Sequence, residues 1–367
     1  MTTSIANKQQ FNDLITTIQQ DQNDKELHWL VSQIIIPEFQ QIIETLKIVS
    51  NLVLYNSPQH PDTTKGIERG PAIKLPLTST TNHSNLNGII IRDGLYILKF
   101  NVVIKDHYLN KYFNKLNLKK PILLQQLVNC KKSIDDSIDL LDQLYLLNET
   151  LEKEESEQHT TINHKTYHKQ LITSFKNLVS KIQNAKTNLQ MPIDPSIIFP
   201  ENVTDTTAFE PELPKIISID FYINQAEICI DLKYLHKITE KPWCEIDPNT
   251  GLSYVDMVRD DIKNKKSNQK VEDSKILENL NNNDNSSHSS GFFNNVMNQI
   301  GQFKTSTKNY DKNDYITRCI TYNNMVVMIN SKIEVSSEDP ILVSCFTKLD
   351  SIEYLINNFL YSLNNLI

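Results

Sequence analysis

The sequence predicts an α+β protein, a discontinuous antiparallel four-helix bundle joined to an antiparallel β domain. Three observations carry this. Residues 217–234 alternate apolar and polar with a period of two, the mark of strands with one buried face. Four other stretches repeat apolar residues at spacings of three and four, as amphipathic helices do. The two kinds of stretch interleave along the chain, so each set must assemble from separate segments.

The strand signal is clearest at Phe209–His236. Ile217, Ile219, Phe221 and Ile223 alternate with Ser218, Asp220, Tyr222 and Asn224, and the alternation resumes at Ile228, Ile230, Leu232 and Tyr234. Asn224-Gln225-Ala226 is the expected hairpin turn, with Asn the residue most tolerant of positive φ. Pro211 and Pro214 keep a helix from entering and start the first strand after them.

From the N-terminus, residues 1–23 are polar with one weak stripe (Phe11, Leu14, Ile15, Ile18) and read as a short helix or frayed arm. Asp24 reads as the N-cap of a long helix carrying Leu27, Leu30, Val31, Ile34, Ile35, Ile42, Leu46, Val49 and Val53. Pro37 lies inside it, removes one backbone hydrogen bond and crowds the carbonyl of Gln33, so a kink or break is expected there. Residues 56–70 read as loop. Strand-like runs follow at Ala72–Leu77, Gly88–Ile91 and Leu95–Lys105, with Asp93-Gly94 as a tight turn and a bulge expected around Phe100-Asn101.

Pro121 suits the first position of a second helix, which runs to about residue 150 on Leu124, Leu127, Val128, Ile134, Ile138, Leu141, Leu144 and Tyr145. An acidic linker, 152–158, leads to a third helix with Tyr167, Leu171, Phe175, Leu178, Ile182, Ala185 and Leu189 near heptad spacing. Pro192, Pro195 and Pro200 end it. Strands are expected again at Tyr315–Thr321 and Met325–Val335 around an Asn323-Asn324 turn. Asp339-Pro340 then caps a last amphipathic helix carrying Leu342, Cys345, Leu349, Ile352, Leu355, Ile356, Phe359 and Leu363. The helical domain is thus expected from 24–54, 121–189 and 340–364, and the β domain from 71–116 and 200–335. Within the latter, 260–314 is an Asn/Ser-rich insertion too polar to offset its ordering entropy, so most of it is expected to be disordered.

Composition removes several function classes. The chain has 367 residues and a net charge of −7, with no long basic run, which argues against nucleic-acid binding. Only 7 residues are Gly, and no GxGxxG or GxxxxGK[ST] occurs, so no phosphate-cradling loop is expected. The first residues lack an apolar h-region, and no apolar run approaches a membrane span. Five cysteines (130, 229, 244, 319, 345) without a CxxC read as reduced, mostly buried thiols of a cytosolic protein.

Few residue patterns suggest chemistry. His164 and His168 are spaced i, i+4, as two metal ligands on one helix would be, but no carboxylate or Cys joins them, and a solvated helix face explains them better. Cys229, with His236 on the same hairpin, would be a nucleophile candidate; its place in the alternation reads better as packing on the sheet's second face. No catalytic, cofactor or metal site is therefore expected. Glu152–Glu157 reads as solvated, and the heptad-like stripes read as the core of one chain's own bundle rather than an intermolecular zipper. Within the insertion, Phe292, Phe293, Val296, Met297, Ile300 and Phe303 share one helical face, a candidate docking helix for a partner or for the β domain; its polar face lacks the Lys and Arg of a membrane-surface helix.

Several short stretches point to a family. F-x-P-x-L-P at 209–214, Tyr222-Ile223-Asn224, Ile228-Cys229-Ile230 and Leu235-His236 together resemble the Rogdi family. So do Glu26-Leu27-His28-Trp29-Leu30, Leu124-Gln125-Gln126-Leu127 with Ile134, Ile138, Leu140 and Leu141, and Asn188-Leu189 with Pro192, all in the family's order. Pro37, the N-terminal extension and the long insertion depart from its pattern. The resemblance implies a helical domain plus a β domain and a non-catalytic subunit of the RAVE complex, the regulator of the vacuolar and endosomal V-type proton ATPase. It further implies partners: a large WD-repeat RAVE scaffold subunit, the peripheral sector of the V-ATPase and a Skp-type adaptor. The expected place is the cytoplasm, with peripheral recruitment to vacuolar and endosomal membranes. The alternative from the helical stripes is a coiled-coil tether or trafficking adaptor.

Overall fold

The computed structural model describes residues 2–78, 85–158, 164–264 and 312–366. Helix α1 (Thr2–Leu30) passes through a π-helical turn at Val31–Ile35 into α2 (Ile36–Tyr55). No Gly or Pro lies between Thr2 and Ile36 to stop it, so Asp24 sits inside the helix rather than at its start, and the polar N-terminal stretch is helical as well. Of the kink or break expected at Pro37, the break is absent, since helical structure continues through it. The wider π turn just before the proline gives its ring room beside the preceding carbonyls, and winding changes where hydrogen bonding would otherwise fail. Asn56, at φ 54°, ends α2 in the left-handed conformation.

The first sheet contains β1 (Ile73–Thr78), β2 (Asn85–Asp93), β3 (Tyr96–Lys105), β4 (Lys115–Leu118), β5 (Ile122–Leu123) and β6 (Phe209–Glu210). Its order is β1-β2-β3-β4-β6, with β5 also paired to β3. Gly94, at φ 56°, makes the tight β2–β3 turn. The bulge lies earlier than expected. Register shifts between Ile91 and Arg92, opposite Lys99 and Ile97, so Leu98 is the extra residue and both Leu98 and Lys99 face outward. Pro121 does not start the second helix, because Ile122 and Leu123 pair with Ile97 and Tyr96 first.

Helix α3 (Gln125–Gln158) starts after that pairing and continues through the acidic stretch read as a linker. Helix α4 (His164–Gln190) follows. The second sheet, ordered β7-β8-β10-β9, consists of β7 (Ile217–Asn224), β8 (Glu227–Lys237), β9 (Cys319–Tyr322) and β10 (Met325–Glu338). Between β8 and β9 come α5 (254–264) and α6 (Lys312–Arg318). Two expectations change here. Residues 315–318 are helical rather than strand, and helical structure reaches into both ends of the insertion expected to be disordered. Asn323 and Asn324, at φ 46° and 56°, make the expected β9–β10 turn. Asp339 accepts hydrogen bonds from the N–H groups of Ile341 (3.0 Å) and Leu342 (3.2 Å), capping α7 (Pro340–Leu366) as expected.

Helix α2 packs on α3 and α7, and α4 packs on the same two helices. Leu171, Phe175, Leu178, Ile182, Ala185 and Leu189 are all buried, so the heptad-like stripe faces neighbouring helices of its own chain. The largest buried cluster runs without interruption from these helices into both sheets. Phe221 joins the sheets, meeting Phe100 edge-on at 5.2 Å and stacking on Phe209 at 6.3 Å.

Candidate functional site

The residues with chemical potential do not assemble into a reaction centre among the described residues. His168 is buried, and the side chain of His164 lies outside the described residues. No three His, Cys, Asp or Glu side chains are placed to share a metal ion among the described residues. Cys229 and His236 lie on one strand at an odd separation of seven, so they point to opposite faces about 23 Å apart along the chain. Burial pushes the Cys229 thiol up to about 12, with Glu227 and Glu334 adding to the effect, which holds it protonated at neutral pH. Burial does the same to Cys319 and Cys345, each pushed up to about 12. The candidate docking helix, Phe292, Phe293, Val296, Met297, Ile300 and Phe303, lies outside the described residues.

The structure instead concentrates buried polar side chains where helices meet sheets. Gln126 sits in the first turn of α3 and is buried. Its Nε2 donates to the carbonyls of Ile223 (2.9 Å) and Asn188 (3.0 Å), and its Oε1 accepts from the N–H of Ile223 (2.7 Å). One side chain thus satisfies both main-chain groups of β7 at Ile223 and one carbonyl in the last turn of α4. The adjacent hairpin turn completes the joint. Gln225 and Ala226, at φ 51° and 60°, donate their N–H groups to Gln190 O (2.9 Å) and Leu189 O (2.7 Å), capping α4. The turn falls on Gln225-Ala226, one residue beyond the Asn that the sequence favours; these two tertiary bonds hold residues that rarely adopt positive φ.

A second cluster ties the far ends of the chain. Arg92 is fully buried; its Nε donates to Asp339 Oδ2 at 2.5 Å and Nη2 to Oδ1 at 3.2 Å. Nη1 donates to Asn56 Oδ1 (3.0 Å) and to the Gly94 carbonyl (2.6 Å). The end of α2, the β2–β3 turn and the start of α7 therefore meet on one guanidinium. On the second sheet, Lys233 Nζ bridges Asp220 (2.9 Å) and Asp231 (2.7 Å), side chains the alternation alone would place outward. The connector before β6 covers them: Phe199 N–H and Asn202 Nδ2 donate to Asp220 at 3.1 and 2.9 Å.

The surface offers two further features. A cleft of about 280 Å³ beside Gln126 is lined by Ile122, Thr204, Phe209 and Phe221. Its Thr204 hydroxyl is already engaged by the Ile219 N–H at 2.9 Å. Tyr108 stacks on Tyr234 at 5.7 Å, and Tyr112 lies 5.9 Å from the same ring, giving a partly exposed aromatic cluster between the sheets. Of these polar groups, the sequence had signalled Asp339, as the cap of the last helix, and Gln126, as part of an L-Q-Q-L stretch and without a role. Arg92 stood at the end of the apolar Ile89-Ile90-Ile91 run, a charge in a strand that otherwise reads as buried.

Helices and antiparallel sheets fastened by buried polar joints, with the Cys229, Cys319 and Cys345 thiols held protonated, define an α+β protein. The chain belongs to the Rogdi family: the model for "Rogdi leucine zipper containing protein" matches residues 26–364. It is similar to the "Regulator of V-ATPase in vacuolar membrane protein 2" of Saccharomyces cerevisiae, 25% identical over 358 residues, which cover 91% of this chain and 89% of the relative. Three stretches that carry the resemblance, 124–127, 188–192 and 222–224, meet at the Gln126 joint. Among the described residues no helix is long and apolar enough to cross a membrane.

Proposed function

We propose that this chain is a non-catalytic subunit of a RAVE-type complex that promotes assembly of the peripheral catalytic sector of the V-type proton ATPase onto its membrane sector. The observation that carries the reading is the similarity to the yeast V-ATPase regulator over 91% of the chain. The buried, protonated thiols and the separation of Cys229 from His236 support a role through protein contacts. In this reading a large WD-repeat scaffold subunit, the peripheral pump sector and a Skp-type adaptor are the partners, and the protein is cytoplasmic, recruited peripherally to vacuolar and endosomal membranes.

The structural counterpart of the proposal is a division of labour. Segments 24–54, 121–189 and 340–364 act as an antiparallel four-helix bundle domain, and 71–116 with 200–335 as a β domain. The Gln126 joint holds the two in fixed relation so that partners meet one rigid surface. A coiled-coil tether is disfavoured because the α4 stripe is already buried inside its own chain. The test is expression in S. cerevisiae cells lacking the similar regulator, with vacuolar pH as readout. Restored acidification supports the proposal; stable expression at normal abundance with no change in vacuolar pH would count against it.

A further inference from the structure

The outer face of the first sheet is basic although the chain carries a net charge of −7. Its inner face is apolar, with Leu75, Leu77, Ile90, Phe100, Val102 and Ile104 buried. The alternate positions point outward, and four of them are Lys74, Lys99, Lys105 and Lys115, all exposed. Lys74 and Lys99 flank Ile91 on adjacent strands, and Lys115 pairs with Val103. The strand spacing puts Lys74 about 10 Å from Lys99, and Lys105 about 20 Å further along β3. None of the four forms an ion pair among the described residues. Against them stand two carboxylates. Asp93 is neutralised by Arg69 at 2.8 Å, and Glu210 lies on edge strand β6, opposite Asn117.

Lys74 with Lys99, and Lys105 with Lys115, lie at about the Debye length, so each pair repels, and an apposed acidic surface relieves that repulsion. Between the lysines lie Ile89, 50% exposed, and Val103, 37% exposed, with Asn87 and Asn101 across the strands from Val103 and Ile89. We infer that this face docks an acidic segment of a partner protein, its carboxylates on the lysines and its apolar side chains on Ile89 and Val103. A protein fits better than an anionic membrane: the strand surface carries side-chain amides that need directional partners, and among the described residues no amphipathic helix projects from it to enter the headgroup layer. The chain's own segments fit poorly. Residues 265–311 carry six lysines against five acidic residues, so that segment is no counter-charge. The glutamate stretch at 152–157 lies near the far end of α3, about 40 Å along the helix from its start beside β5. The inference stands on the face's own charge and does not depend on which complex the protein joins.

The test uses the full chain and a fluorescein-labelled peptide of about ten residues, mostly glutamate with two leucines, followed by anisotropy. Lys74, Lys99, Lys105 and Lys115 are changed together to Gln, and a charge-matched control changes the exposed Lys47, Lys132, Lys169 and Lys176 on the helices. Melting temperature verifies that both variants fold. The expected result is saturable binding to the native chain, weakened at least tenfold by the sheet variant and less than twofold by the control. Equal losses in the two variants, or no binding to the native chain, would overturn it. So would co-sedimentation with phosphatidylserine vesicles that the sheet variant abolishes, which would make lipid the occupant. A dimer by light scattering that the sheet variant dissolves would make the occupant a second copy, and would overturn it too.

Discussion

The carboxamide of Gln126 closes on both main-chain groups of Ile223, accepting from its N–H at 2.7 Å and donating to its carbonyl at 2.9 Å. A helix residue thereby serves as the neighbour that β7 lacks at that position. Gln126→Leu keeps the volume and leaves two buried main-chain groups unpaired. The expected cost is about 2–4 kcal/mol, read from urea unfolding. A loss under about 0.5 kcal/mol would show that water replaces the amide there.

Arg92 and Asp339 are 247 residues apart and both fully buried. Removing one partner leaves a buried charge, so Arg92→Met is expected to destabilise by about 3–5 kcal/mol. The double variant Arg92→Met/Asp339→Ser removes both charges and keeps a side chain able to cap α7. It is expected to be more stable than Arg92→Met alone, as measured by a double-mutant cycle in denaturant.

The β7–β8 turn offers a gain. Gln225 and Ala226 hold positive φ, which Asn and Gly adopt more readily. Gln225→Asn/Ala226→Gly retains both N–H bonds to α4 and is expected to stabilise by up to about 1 kcal/mol. A raised melting temperature checks it. Ala226→Pro removes the N–H that Leu189 O accepts and is expected to lower the melting temperature.

Asp256 links α5 to β9, accepting from the Ser253 hydroxyl at 2.6 Å and the Thr321 hydroxyl at 2.8 Å. Burial pushes its carboxyl up, but the Ser253 and Thr321 bonds and the Arg259 charge outweigh this and hold it below the usual range. A folded-state value below the unfolded one gives stability that is present above about pH 4 and fades as pH falls through the folded value. Asp256→Asn is therefore expected to be less stable near neutrality and to shed part of the native chain's loss of stability on acidification. Parallel pH profiles for the two proteins would contradict this.

Cysteine reactivity separates the thiols. Cys130, Cys229, Cys319 and Cys345 are buried, and Cys244 is half-exposed. Iodoacetamide under native conditions is expected to label Cys244 first, with Cys229 reacting only on unfolding, as read by peptide mass spectrometry.

Much of the architecture was legible because it is local. The Asn323-Asn324 turn, the Asp339-Pro340 cap and the alternation through β7 and β8 each follow from a few neighbouring residues. What escaped depends on distant partners. Pro121 suits a helix start, yet the pairing of Ile122 with Ile97 delays α3. Phe100-Asn101 looked irregular, but the extra residue is Leu98, chosen by the register with β2. Asp220 and Lys233 read as outward until the connector at 199–204 covered them. Arg92 has no local clue to its partner, since Asp339 lies on the last helix.

The proposed role in pump assembly can be tested on the pump itself. The most direct measurement is the fraction of peripheral-sector V-ATPase subunits that sediment with vacuolar membranes, in cells with and without this chain. That fraction is expected to fall when the chain is removed and to recover when it is restored, with total subunit abundance unchanged. An unchanged membrane-bound fraction in its absence would rule out a role in pump assembly.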